Sequence, residues 1–319
     1  MPVLDMSLQE LFSYKGTNPR PEDFDDYWTK ALSEMKSLGT GYTLEPADIT
    51  IPFGTCYSLF FTGVGGAQVH AKLVKPAKTG SKHPALITFH GYKSASGDWF
   101  DKLPYAAAGF TVASLDCRGQ GGKSEDCSSV LGNTDSGHII RGLSDSPEKL
   151  LYRQIFLDTA QLASIIMAME DVDESRVGVT GASQGGALSI ACAALEPRVA
   201  RVASVYPFLS DYKRVWDIDL IHQAYAELKT YFRKYDPTHE REHEIFERLG
   251  YIDVQNLSPR IKAKVLFAVG LADDVCPPSS QFAAYNKIRS EKEIVVYPDF
   301  GHEYLDGLAD RIFKFMMGL

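Results

Sequence analysis

One serine of this chain lies in a pattern that could make it a nucleophile. The pentapeptide Gly181–Gly185 (GASQG) follows the apolar run RVGVTG and precedes the helical run ALSIACAAL. A G-x-S-x-G sequence between a strand and a helix forms a sharp turn that presents the serine hydroxyl at the helix N-terminus. An ordinary helix N-cap serine is the alternative. The position of the pattern favours Ser183 as the nucleophile of an acyl transfer.

A serine nucleophile needs a general base and an acid that orients this base. His302 lies in the segment DFGHEY, after the last apolar run, and no histidine stands between it and His243. In hydrolases with this serine turn, the acid comes between the serine and the histidine. The two candidates are Asp273 and Asp274, whose neighbouring side chains diverge, so that only one can orient the imidazole. The spacing after the run KVLFAVG favours Asp273.

Two backbone N–H groups must also stabilise the negative oxygen formed during acyl transfer. The amide of Gln184, directly after the serine, is the first candidate. The second is the amide of Tyr92, because the sequence His90-Gly91-Tyr92 ends the apolar run ALITF. We interpret His90 as a structural histidine of this loop.

Two other patterns resemble ligand sites. Residues 239–243 (HEREH) fit the zinc pattern H-E-x-x-H, but they follow Asp236-Pro237 in a strongly charged stretch, which is typical of a solvated helix start. The sequence GGKS at 121–124 resembles a phosphate loop, except that Cys117 takes the place of its first glycine. We therefore predict no metal and no organic cofactor.

The remaining pattern predicts the elements that position these residues. From about residue 84 onward, short apolar runs alternate with helical stretches, which indicates a buried, mostly parallel sheet. The clearest helix is predicted over 148–169, with one apolar face. Upstream, residues 20–37 predict an amphipathic helix, and antiparallel strands are predicted over 47–54, 57–62 and 67–75.

Residues 209–257 depart from this alternation, because about fifty residues are too many for a strand crossover. Their composition is helical, and we interpret them as an insertion over the carboxyl ends of the strands, where such folds bind ligands. The whole pattern predicts an α/β-hydrolase fold in one domain, 1–319. Residues 1–80 form its N-terminal helix and strand extension.

Composition limits the partners and the compartment. The chain has 319 residues, a net charge of −8 and a pI near 5.5, which disfavours binding to nucleic acids. No apolar run approaches the roughly 18 residues of a membrane span. The five cysteines have no paired metal spacing, and the first residues do not read as a signal peptide. Reduced thiols in the cytoplasm are the simplest expectation.

Taken together, these segments resemble the acetyl xylan esterase / cephalosporin C deacetylase family (carbohydrate esterase family seven). The three signature motifs of that family match Arg118-Gly-Gln120, the serine pentapeptide and His302-Glu303. The sequence around these motifs also resembles that family, including HGY at 90–92, GLAD at 270–273 and PPS at 277–279. The resemblance extends over essentially the whole chain.

The resemblance implies a triad of Ser183, Asp273 and His302, with the amides of Tyr92 and Gln184 as the oxyanion hole. Residues expected to support the catalytic loops are Arg118, Gln120 and Glu303. The implied substrates are acetyl esters of short xylo-oligosaccharides and the 3′-acetoxy group of cephalosporins. Members of that family are intracellular and typically hexameric, with active sites that face an internal cavity, and the resemblance implies the same for this chain.

Two other functions stay open. A peptidase or thioesterase of the same fold would use the same triad, because a fold alone does not set the substrate. A non-catalytic binding module usually lacks a member of the triad, whereas all three residue types are present here.

Overall fold

A mixed β-sheet forms the centre of the computed structural model, which describes residues 4–77, 80–132 and 135–319. Nine strands build this sheet within the described residues. Their bounds are β1 Thr43–Ile51, β2 Gly54–Thr62, β3 Gln68–Pro76, β4 His83–Phe89, β5 Thr111–Leu115, β6 Val172–Ala182, β7 Arg201–Val205, β8 Lys264–Gly270 and β9 Lys292–Tyr297. Each apolar run of the sequence analysis contributes a strand.

The strands lie in the order β1-β2-β3-β5-β4-β6-β7-β8-β9. The first three pair antiparallel, and β3 is also antiparallel to β5. From β5 to β9 every neighbour is parallel, so that the carboxyl ends of these strands meet at one edge of the sheet. The predicted α/β-hydrolase fold, with its mostly parallel sheet, is confirmed.

Helices cover both faces of the sheet. Their bounds in the described part of the chain are α1 Leu8–Ser13, α2 Phe24–Ser37, α3 Leu103–Ala107, α4 Leu151–Met167, α5 Gln184–Leu195, α6 Tyr212–Asp217, α7 Ala226–Tyr235, α8 Glu242–Leu249, α9 Val254–Leu257, α10 Pro278–Lys287 and α11 Leu308–Met316. No helix among the described residues is both long enough and apolar enough to cross a bilayer.

Helix α4 is buried almost all round, whereas the sequence predicted a single apolar face. The reason is that the N-terminal helix α2 covers its outer side, where the rings of Trp28 and Phe156 stack with centroids 6.1 Å apart. Trp28 also donates its indole N–H to the carbonyl of Tyr251, 3.0 Å away. The N-terminal extension therefore packs into the main core.

Helices α6 to α9 lie between β7 and β8, in the segment predicted as an insertion. Aromatic rings hold this insertion together: Trp216 and Phe232 have centroids 4.5 Å apart, and Phe246 stacks on Phe232 at 5.7 Å. These rings are part of the main buried core, so the insertion packs directly onto the body of the fold.

Candidate active site

Ser183 stands at the sharp turn between β6 and α5. Its backbone has φ 58° and ψ −120°, a conformation that non-glycine residues rarely adopt. The amide of Ser183 donates to the carbonyl of Val205 at 3.0 Å, which fixes the turn against β7. A Cβ atom at Gly181 would come within 2.6 Å of the Phe89 carbonyl oxygen, and Gly185 is packed against the same carbonyl. The flanking glycines are thus required by close backbone packing.

Asp273 lies on the loop after β8 and is fully buried. One oxygen, Oδ1, accepts from the amides of Val275 at 2.9 Å and Cys276 at 2.8 Å. The other, Oδ2, accepts from the Gln281 side chain at 3.2 Å and lies 2.9 Å from Nδ1 of His302. Because both oxygens have defined partners, the carboxylate can hold the imidazole in one orientation.

Asp274 points elsewhere. Its side chain is 54% exposed, and its carboxylate lies 3.7 Å from Nε2 of His222, in the insertion. The structure therefore places Asp273, and not Asp274, beside His302.

Two residues join Ser183 to the Asp273–His302 pair. The thiol of Cys276, whose amide donates to Asp273, lies beside the Ser183 side chain. Burial raises the pKa of the Cys276 thiol well above its ordinary value, so the thiol stays neutral. Tyr206, which follows β7 with φ 29°, packs its ring 4.6 Å from that of His302. Ser183, His302 and Asp273 thus lie in one region at the carboxyl ends of the strands.

The side chain of Gln184 is buried and ties the serine turn to two neighbouring loops. Its Oε1 accepts from Gln120 Nε2 and from the Tyr152 hydroxyl, each at 2.7 Å. Its Nε2 donates to the carbonyls of His90 at 3.3 Å and Gly91 at 3.4 Å. The loop that carries Tyr92 is therefore fastened directly to the residue after the nucleophile. His90 is held as a structural residue, because its Nε2 accepts from the Cys117 amide at 3.0 Å.

The three predicted supporting residues make specific contacts. Arg118 forms two hydrogen bonds with Asp158, at 2.6 and 2.7 Å, and both side chains are only 1% exposed. Gln120 accepts from the Lys93 amide at 2.9 Å through Oε1, in addition to its bond with Gln184. Glu303 accepts from the Gly301 amide at 2.9 Å, beside His302.

The zinc-like sequence 239–243 does not lie on one helix. Helix α8 begins at Glu242, and His239 precedes it with φ 58°. Nδ1 of His239 lies 3.0 Å from Glu242, and its ring packs against Trp216. The two histidines therefore lack the shared helical face that the zinc pattern requires. Trp216 itself packs against Phe232 and Phe246 within the insertion.

Sequence reasoning missed several residues that surround the site. Tyr206 and Gln281 come from the ends of other elements, and no local motif marks them. Tyr152 is embedded in the apolar pattern of α4. Cys276 stands three residues after Asp273, and this spacing on the acid loop was the only available signal.

Comparison with known proteins agrees with this geometry. The family model described as acetyl xylan esterase (AXE1) matches residues 1–319. The chain belongs to the acetyl xylan esterase family. This is a family of carboxylic ester hydrolases, as the site and its serine turn predict.

Solved structures of other acetyl xylan esterases superimpose over nearly the whole chain. Acetyl xylan esterase 1 from Thermoanaerobacterium sp. JW/SL YS485 is 61% identical with a TM-score of 0.97, and the match covers 99% of each chain. An acetyl xylan esterase from Paenibacillus sp. R4 is 33% identical with a TM-score of 0.93, over 98% of this chain and 99% of that one.

A curated relative is more distant. The acetyl esterase Axe7A of Xylanibacter ruminicola is 26% identical over 294 residues, which are 89% of this chain. The match spans 64% of the length of that relative.

Proposed function

We propose that this chain removes acetyl groups from short acetylated xylo-oligosaccharides through an acetyl-enzyme on Ser183. The observation that carries the proposal is the contact of His302 Nδ1 with the buried Asp273, next to a serine held in a strained turn. The names of the two similar solved structures support acetyl xylan as the substrate class.

In the proposed reaction, His302 takes the proton of Ser183 as the hydroxyl oxygen attacks the acetyl carbonyl carbon. The amides of Tyr92 and Gln184 stabilise the negative oxygen of the tetrahedral intermediate. His302 then gives its proton to the departing sugar oxygen, which leaves an acetyl-enzyme. A water molecule repeats the two steps and releases acetate. Asp273 accepts the hydrogen bond from Nδ1 and stabilises the imidazolium in both halves. The proposed steps use no metal and no organic cofactor.

The family resemblance extends the proposal in three directions. We expect the same site to cleave the 3′-acetoxy group of cephalosporin C. We also expect the protein to be cytoplasmic and to form a hexamer. Size-exclusion chromatography with light scattering would test the hexamer. Finally, we propose that residues 1–319 act as one domain, since α2 packs on α4 and the family model spans both.

The test is a substrate panel with purified wild-type protein, Ser183→Ala and the exposed control Ser175→Ala. We expect wild type and Ser175→Ala to release acetate from acetylated xylo-oligosaccharides, cephalosporin C and p-nitrophenyl acetate, and Ser183→Ala to release none. Faster cleavage of matched amides or thioesters would instead support a peptidase or thioesterase. Failure to react with a fluorophosphonate probe would support a non-catalytic module.

A further inference from the structure

A buried glutamate of the insertion contacts the loop that carries Tyr92. Glu227 lies in the first turn of α7 and is 8% exposed. Its Oε1 is hydrogen-bonded to the Tyr92 hydroxyl. Its Oε2 accepts from the amides of Ile139 at 2.7 Å and Ile140 at 3.1 Å. Both oxygens are therefore committed, one to the Tyr92 side chain and the other to the segment around Ile139.

A second chain of contacts runs from the same tyrosine toward Gln184. His138 donates its amide to the Tyr92 hydroxyl at 3.1 Å, and its Nδ1 lies 3.1 Å from the same oxygen. Its Nε2 lies 2.9 Å from the carbonyl of Gly119. The next residue, Gln120, binds both the Lys93 amide and Gln184. Glu227 thus ends a network that encloses the Tyr92 loop from the side of the insertion.

We propose that Glu227 is a positioning residue that fixes the Tyr92 amide in the oxyanion hole, so that the insertion sets the catalytic rate without touching substrate. This inference rests on the proposed function above. A backbone amide can be displaced by rotation of its loop. On the serine side, Tyr92 is restrained through its two neighbours, Gly91 bound to Gln184 and Lys93 bound to Gln120. The hydroxyl bond to Glu227 supplies the opposite restraint.

The hydrogen bonds around the Tyr92 hydroxyl require a definite number of protons. Because a carbonyl only accepts, Nε2 of His138 carries a hydrogen toward Gly119. The Tyr92 hydroxyl then takes part in two hydrogen bonds of this network, one with Glu227 Oε1 and one with His138 Nδ1. They need two protons, and the phenol supplies one. The second belongs to Glu227 or to Nδ1 of His138.

Burial acts on both candidates for this second proton. Burial raises the pKa of Glu227, and burial lowers the pKa of His138, so a proton is held more readily by the glutamate than in water and less readily by the histidine. Glutamine has the same shape as a protonated glutamate and carries a fixed N–H. Its carbonyl oxygen can accept from Ile139 and Ile140 while its N–H donates to the tyrosine oxygen.

The first experiment compares Glu227→Ala, Glu227→Gln and the exposed control Glu240→Ala on p-nitrophenyl acetate. We expect Glu227→Ala to lower kcat by about tenfold to a hundredfold with little change in KM, since loss of a whole oxyanion donor costs about 10²- to 10³-fold. Glu227→Gln should stay within about threefold of wild type, and Glu240→Ala should be unchanged. A Glu227→Gln variant as slow as Glu227→Ala, or a loss confined to KM, would refute the proposal.

A second measurement reads the oxyanion hole without turnover. When a trifluoromethyl ketone binds, the serine oxygen bonds to its carbonyl carbon, His302 takes the hydroxyl proton, and the carbonyl oxygen becomes an oxyanion in the hole. Its affinity should fall in Glu227→Ala by about the same factor as kcat/KM. A wild-type protein that binds the ketone but leaves acetyl esters intact would contradict the proposed substrate and leave the role of Glu227 measurable. Unchanged ketone affinity in Glu227→Ala would reject the positioning role.

Tyr92→Phe serves where Glu227→Ala does not fold, because it removes the hydroxyl and keeps the amide. It should also lower kcat and not KM. In the double variant with Glu227→Ala, the loss of kcat should be smaller than the two single losses combined. The reason is that both changes remove the same hydrogen bond, between Glu227 and the Tyr92 hydroxyl. Additive losses, or a kcat for Tyr92→Phe equal to wild type, would overturn the inference.

Discussion

Replacing Asp273 by asparagine tests the acid of the proposed triad most directly. Oδ1 of the aspartate accepts from the amides of Val275 and Cys276, so the amide oxygen of the asparagine must take that position. Its NH2 group then faces Nδ1 of His302, where the aspartate has an acceptor. To avoid two opposed donors, the imidazole must carry its hydrogen on Nε2. Nε2 then has no lone pair to accept the proton of Ser183, because the lone pair of the ring is on Nδ1.

The expected loss follows from this change of tautomer. In serine hydrolases with the same arrangement, an asparagine at the acid lowers kcat by about 10⁴-fold, which corresponds to about 5 kcal/mol of barrier. Asp274→Asn is the matched control, because Asp274 is half-exposed and its contact with His222 spans 3.7 Å. Such surface pairs contribute about 0–1 kcal/mol, so kcat should fall by no more than about fivefold.

The assay is release of p-nitrophenolate from p-nitrophenyl acetate, with far-ultraviolet circular dichroism and thermal unfolding as checks of folding. Both variants should fold. A folded Asp273→Asn protein that keeps more than a hundredth of wild-type kcat would refute the reasoning. So would an Asp274→Asn protein that is the slower of the two, which would move the acid to the neighbouring residue.

Three further predictions concern the acyl pocket and the buried charges. The ring of Phe208 packs 5.4 Å from that of Tyr92. Overfilling a packed site costs about 1–3 kcal/mol, so lengthening acetate to butyrate should lower kcat/KM by about fivefold to 150-fold. Equal rates on acetate and octanoate esters would contradict this. Arg118→Met leaves Asp158 buried without its partner and should lower the free energy of unfolding in urea by about 3–5 kcal/mol. Arg241→Met, where both Arg241 and its partner Glu244 are half-exposed, should change it by less than about 1 kcal/mol, and similar losses in both variants would refute the argument. Burial raises the pKa of Asp253 from 3.8 to about 7. The folded protein therefore holds this proton more tightly than the unfolded chain does. The resulting contribution to the free energy of unfolding is complete below about pH 4 and is lost as the pH rises through 7. The Tm of wild type should therefore fall more than that of Asp253→Asn between pH 5 and pH 8, and parallel curves would exclude this cause.

Much of the fold could be predicted because its elements are encoded locally. Each buried strand is a short run of apolar residues, such as KVLFAVG, and the serine turn has its glycines within two residues of Ser183. The order of the strands is not local, since β5 lies between β3 and β4. The burial of α4 on nearly all sides also depended on another element, the helix α2, which lies more than a hundred residues earlier in the chain.

The same division applies to the candidate site. Ser183 and His302 were predicted from the sequence, because a short motif and the order of residue types single them out. Asp273 and Asp274 were both candidates, and the tertiary structure decides which carboxylate lies beside the imidazole. Glu227 could not be predicted at all. It meets Tyr92 across 135 residues of chain, and a hydrogen bond between residues so far apart depends on how the insertion packs, which no local pattern specifies.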